Sequence, residues 1–170
     1  MKAKQANLAR RGFLGGLAAL AGVSILGGCG FQLRGKSQLP FTAAYVTAGA
    51  GSVLAGPLRQ ALSSQDKLAT AADAAPVRIS LVDETRSKTI LSLSGGGKVK
   101  EYRLAYKVRL VVTDPQGKEL IAPSEILLNR DFSYSDAEVL AKEGEENALN
   151  KAMEQEALRQ VLRRLSYVQR

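Results

Sequence analysis

From Tyr102 to Val112 apolar and polar positions alternate. Tyr102, Leu104, Tyr106, Val108, Leu110 and Val112 fall on one side; Arg103, Ala105, Lys107, Arg109 and Val111 fall on the other. Period two predicts a strand with one buried face. Val77-Arg78-Ile79-Ser80-Leu81 alternates in the same way, and Ala43–Thr47, between Pro40 and Gly49, reads as a short strand. Ser94-Gly95-Gly96-Gly97-Lys98 is a reverse connection. In Asp114-Pro115-Gln116-Gly117 the proline sets φ and the glycine relieves strain, so a tight turn leads into an antiparallel partner strand over Glu125–Tyr134. Two stretches carry helical spacing. Gly56-Pro57 predicts a helix start with proline at the first helical position, followed by Leu58, Ala61, Leu62 and Gln65. Lys67–Pro76 reads as a loop. Near the carboxyl end, Ser135-Asp136-Ala137-Glu138 predicts a capping box. Leu149, Met153, Ala157 and Val161, with Leu158, Leu162 and Leu165, form a core-facing stripe. Acids come early (Asp136, Glu138, Glu143) and arginines late (Arg159, Arg163, Arg164), as the helix dipole favours. About 30 residues would give a helix near 45 Å long, with Gly144 as the place for a kink. The order β-α-β-β-β-α predicts an α+β two-layer sandwich: a small, mostly antiparallel four-stranded sheet packed by two helices. There are no internal repeats.

Residues 1–28 are of a different character. Their only charges are Lys2, Lys4, Arg10 and Arg11, and no charged residue occurs between Phe13 and Gly28. A basic start, a short apolar run and small residues before a break make a cleaved export signal. The run falls short of the about 20 apolar residues a spanning helix needs. Arg10-Arg11-Gly12-Phe13-Leu14 resembles a twin-arginine signal, and the twin-arginine and general secretory routes both stay open. Leu26-Gly27-Gly28-Cys29 resembles the bacterial lipobox, in which small residues fit a protease cleft and the thiol accepts a diacylglyceryl group. Cys29 then becomes the acylated first residue, carrying diacylglycerol and an N-acyl chain. At about 0.8 kcal/mol per buried methylene, several chains make a stable anchor. Three segments follow: the signal over 1–28, a lipid-anchored segment over 29–40 and a folded domain over 41–167. Gly30, not Asp, after the cysteine suits transport to the outer membrane.

Composition then narrows the chemistry. The 170 residues carry +8, but the export signal holds half of that, leaving +4 on the mature chain. The basic charge is thus weak support for nucleic-acid binding. With no His and one Cys, the chain has no Ser-His or Cys-His nucleophile pair, no histidine metal site and no internal disulfide. Gly95-Gly96-Gly97-Lys98 lacks the phosphate-loop spacing and joins two strands, so it reads as a hairpin loop. Asp83-Glu84 and Glu145-Glu146 cannot converge for acid/base work and read as solvated charges. No catalytic constellation is present, and the chain is not expected to be an enzyme. The informative feature is a basic strand face, Arg103, Lys107 and Arg109, with Lys98 and Lys100 at the adjoining loop. It is either a solvated sheet face or a surface for an anionic partner such as a lipid headgroup or lipopolysaccharide.

Cys29-Gly30-Phe31-Gln32-Leu33-Arg34-Gly35 after the lipobox, followed in order by Gly56-Pro57-Leu58, Glu101-Tyr102, Ala141-Lys142-Glu143 and a Glu/Leu/Arg-rich closing helix, resembles the LptE family of lipopolysaccharide-assembly lipoproteins. The resemblance covers essentially the whole mature chain. It implies a small sheet with two helices and a periplasm-facing, lipid-anchored place in the outer membrane. It also implies a role as plug and folding aid of the LptD β-barrel, and binding of lipopolysaccharide without any cofactor. It points to Lys142 as a lipopolysaccharide contact and to a second contact in the loop before Glu101-Tyr102. There Gly95 stands at the family's arginine, leaving Lys98 or Lys100 as substitutes, with Arg103 beside them. Two other readings stand: a subunit of another envelope assembly machine, and a basic double-stranded-RNA-type module, which the export signal opposes.

Overall fold

A computed structural model describes residues 39–135 and 138–168; these lie in one unit, Ser37–Arg170. The export signal expected over 1–28, Cys29 and the Cys29–Gly35 signature lie outside the described residues.

The elements are β1 (Ala44–Ala48), α1 (Ala55–Ser63), β2 (Val77–Leu93), β3 (Val99–Thr113), β4 (Glu119–Ser133) and α2 (Val139–Leu165). The sheet order is β1-β2-β3-β4, with β1 parallel to β2 and the other two pairs antiparallel. This is the expected α+β arrangement. Both helices lie on one face. Leu58 and Leu62 of α1, and Met153, Ala157, Val161 and Leu165 of α2, are fully buried against Val46, Ile79, Leu81, Tyr106, Val108, Leu110, Ile126 and their neighbours. The other face carries no helix. Its rows read Thr89–Arg103–Asp131, Ser87–Ala105–Asn129 and Thr85–Lys107–Leu127.

Several boundaries differ from the sequence reading. β2 runs 17 residues, far past Leu81, because its distal half (Thr85 to Leu93) is held by pairing to β3 and by ion pairs rather than by apolar burial. Pro57 is the third residue of α1, not the first; its missing N–H is still one of the four unbonded amides of a first turn. The capping box does not form: α2 starts at Val139, Glu138 makes no side-chain cap bond, and the first turn holds no acid. Gly144 leaves α2 unbroken. Pro123 lies within β4, which also starts earlier than expected. A register shift between Leu110/Ser124 and Val112/Ile121 absorbs it, as an edge strand allows.

Glu84 is not a solvated charge. Asp83 has φ +53° at a register shift in β2, and this bulge turns Glu84 toward the helix layer. Its carboxylate accepts the amides of Val53 (3.1 Å) and Leu54 (3.2 Å), the Ser52 hydroxyl and the Tyr106 hydroxyl (2.7 Å). Ser52 in turn accepts the amide of Ala55 (3.1 Å) at the start of α1. Burial first, then the bond to Glu84, pushes the Tyr106 hydroxyl far above its ordinary pKa. Asp83 itself pairs with Arg109 at 2.5 Å.

Candidate functional site

The expected contacts gather at the end of the sheet where β2 turns into β3 and α2 begins. The turn closes through Gly97 N–H to the Ser94 carbonyl (2.9 Å) and Ser94 N–H to the Lys98 carbonyl (2.7 Å), with Gly97 at φ +78°. Lys98 is exposed in this turn and Lys100 is exposed on β3; among the described residues the Lys100 ammonium has no hydrogen-bond or ion-pair partner. Tyr134 N–H donates to the Lys100 carbonyl (2.8 Å), which fixes the outer end of β4 beside it. Lys142, in the first turn of α2, reaches the same end. Its ammonium donates to Ser133 Oγ (3.1 Å) and Glu145 Oε2 (2.9 Å), and its side chain is only 15% exposed. It is therefore a staple between helix and strand, more enclosed than its helix position implied.

Arg103 does not join them. Alternation puts it on the helix-free face, where it makes a bidentate pair with Asp131 (2.7 and 2.8 Å). Their hydrogen bond raises the Arg103 pKa and holds the Asp131 carboxyl below its ordinary range. With Arg109 tied to Asp83, two of the three cations of the expected basic face are already neutralised within the fold.

The sequence reading passed over two features of this end. Lys88 sits 4.3 Å from the centroid of the Tyr102 ring and 5.6 Å from that of Phe132, and pairs with Glu146 at 2.5 Å. Glu146 is thus no solvated charge either, and Glu145 is the partner of Lys142. Tyr102 stacks on Phe132 (5.8 Å) and meets Tyr134 edge-on (5.2 Å). The second feature is exposed apolar surface: Ile90, Leu91 and Leu93 on β2, and Val139 and Leu140 on α2, the last 85% exposed. The Ile-Leu-Ser-Leu run before the glycines was the available signal. Ammonium groups beside bare apolar surface suit an amphiphile with an anionic head. Among the described residues no cluster of metal-ligating side chains occurs and no helix is long and apolar enough to cross a membrane.

The family model for lipopolysaccharide assembly, LptE, matches residues 38–165. The chain belongs to the LptE family. The LPS-assembly lipoprotein LptE of Photorhabdus laumondii is 30% identical over 158 residues, covering 88% of this chain and 84% of its own. The solution structure of an uncharacterized lipoprotein B from Nitrosomonas europaea superposes with a TM-score of 0.71 at 39% identity, covering 81% of this chain and 90% of that one. The rare lipoprotein B of Shewanella oneidensis gives 0.59 at 27% identity, covering 71% and 91%. The LptE-like fold expected from the sequence is thus the observed one.

Proposed function

We propose that this LptE-family chain is an outer-membrane lipoprotein, tethered through acyl chains on Cys29 to the periplasmic side. There it plugs and helps assemble an LptD-type β-barrel and binds lipopolysaccharide on its way to the surface. Family membership carries the coarser part, a role in lipopolysaccharide assembly; the match over 38–165 is the observation on which the reading rests. The geometry supports the finer part. A barrel lumen is polar, and the helix-free sheet face is mostly polar, with Thr85, Ser87, Thr89, Asn129 and the Arg103–Asp131 pair beside the exposed Leu127. Lys98, Lys100 and Lys142 beside Ile90, Leu93 and Leu140 offer cations for phosphates and apolar surface for acyl chains. The work is binding and templating, not bond-making.

The test is retrieval from detergent-solubilised envelope. A barrel of the LptD type should come down at one-to-one stoichiometry. A different envelope complex in its place would favour the rival assembly-machine reading. The nucleic-acid reading loses its footing because Arg103 and Arg109 are occupied by Asp131 and Asp83.

A further inference from the structure

Along α2 the side that faces the sheet changes character. Leu165, Val161, Ala157 and Met153 are fully buried, and Leu149 packs partly against the same core. Continuing the spacing of three or four residues brings Glu146 and then Lys142 to that side. Across 139–148 these two are the only residues that are not exposed. Their polar ends make the contacts: Lys142 donates to Ser133 Oγ (3.1 Å), and Glu146 pairs with Lys88 at 2.5 Å. The apolar Val139 and Leu140 of this stretch are exposed. Among the described residues, then, the first part of the helix is held to the sheet by two polar contacts and by no buried side chain.

Both contacts are of a kind that lets go. The side chains of Lys88 and Glu146 are 36% and 25% exposed, and ion pairs open to water hold weakly and weaken further in salt. Lys142 divides its ammonium between Ser133 and Glu145. Freed from the sheet, the stretch has little to keep it helical, because it ends the helix and Gly144 lies within it. The layer beneath is aromatic. The Lys88 ammonium stands over the Tyr102 and Phe132 rings, 4.3 and 5.6 Å from their centroids, and Glu146 reaches the same ammonium from α2. Phe132 is buried, while Ile90, the register partner of Tyr102, is exposed. Glu146 thus occupies, as an internal anion, a cation that stands on apolar rings beside an exposed isoleucine.

We infer that residues 139–148 form a lid latched at Lys88–Glu146 and Lys142–Ser133, and that an anionic amphiphile opens it by taking both ammonium groups. This rests on the proposed function, which supplies lipopolysaccharide as that amphiphile, and deepens it. Lys88 joins Lys142 as a phosphate contact, and Glu146 is the internal competitor. A phosphate brings more charge and more acceptor oxygens than a carboxylate, so it displaces Glu146. With the lid away and Lys88 turned to the phosphate, the Tyr102 and Phe132 rings open beside Ile90 to take an acyl chain. Until then the closed lid keeps the aromatic layer from water, and the apparent affinity is reduced by the fraction of molecules that are open.

Residue-resolved hydrogen exchange on the full chain in nonionic detergent, with and without purified lipopolysaccharide, tests it. Without ligand, the amides at 144–148 exchange faster than those at 157–163, and raising salt from about 0.05 to about 0.5 M widens the gap. Lipopolysaccharide speeds 144–148 by about fivefold or more, where a ligand seated on a fixed helix would slow them. Glu146→Gln makes the same amides fast with no ligand. Glu143→Gln, which removes an equal charge at an exposed position, leaves them slow. Titration separates the latch from the cation. Glu146→Gln and Lys88→Gln both lack the latch, but only the first keeps the ammonium, so it binds lipopolysaccharide about fivefold or more tightly than the second. If lipopolysaccharide binds but slows 144–148 or leaves them unchanged, or if the two variants bind alike, the inference is overturned and the lipopolysaccharide-binding reading survives. Glu146→Gln with 144–148 still protected overturns it too. If wild type binds no lipopolysaccharide, the binding reading falls and ligand-driven opening falls with it, whatever the state of the latch.

Discussion

At the scale of single residues, Glu84 holds the first helix, the loop before it and the sheet in one carboxylate. Removing it strands the amides of Val53 and Leu54 and the Tyr106 hydroxyl. Glu84→Ala should cost about 3 kcal/mol, read as a drop in denaturation midpoint at unchanged slope. Tyr106→Phe removes one donor and should cost about 1 kcal/mol at neutral pH. The two proteins separate again in alkali. Tyr106 is raised in the folded state, so its contribution is complete below the unfolded value of about 10 and is lost as pH rises above it. Wild type should lose stability above about pH 10 more steeply than Tyr106→Phe; parallel pH profiles would remove the tyrosine from this role. For lipopolysaccharide, the staple geometry of Lys142 changes the variant of choice. Lys142→Glu would set a carboxylate against Glu145, so Lys142→Gln, which keeps the stem, is the cleaner test. Losing one charge-assisted contact of about 1.5 kcal/mol predicts roughly tenfold weaker binding in a titration at moderate salt.

At the scale of elements, the legible parts were those that use apolar burial. β3, the α2 stripe and the two hairpin turns follow from period, from spacing and from Gly97 and Gly117, both at positive φ. The distal half of β2 was not legible. Thr85-Arg86-Ser87-Lys88-Thr89 has no apolar side, because Glu154 and Glu146 of α2, more than 50 residues away, take the place of a core. The same distance hid Glu84 and Glu146, whose donors arrive through the fold. The start of α2 misled in the opposite sense: a capping-box sequence was present but the helix begins after it. That leaves room for improvement at two positions. Gly144 lies inside the helix with open space where a Cβ would go, so Gly144→Ala should stabilise by about 1 kcal/mol. Glu138 occupies the cap without a side-chain bond, and Glu138→Asp should add about 0.5 kcal/mol. Thermal melts of the two single variants and the double test additivity, since the sites are over a turn apart.

At the scale of the whole molecule, the sheet is covered by two helices on one face and carries none on the other, and Lys98, Lys100 and Lys142 gather at the end of the sheet that also carries Ile90, Leu93 and Leu140. In the function proposed above, the domain is placed by the acyl chains on Cys29. Anchoring and folding should therefore come apart. Cys29→Ser should take up no labelled palmitate, should leave the membrane fraction when expressed beyond the barrel supply, and should still melt as the wild-type domain does. Excess expression matters here: barrel-bound protein would stay with the membrane whether acylated or not. With several acyl chains at about 0.8 kcal/mol per buried methylene, the acylated wild type should not exchange between membranes, whereas the variant should wash free. If the label still enters Cys29→Ser, or the excess variant sediments with the outer membrane as the wild type does, the anchor is elsewhere and the place assigned to this domain is wrong.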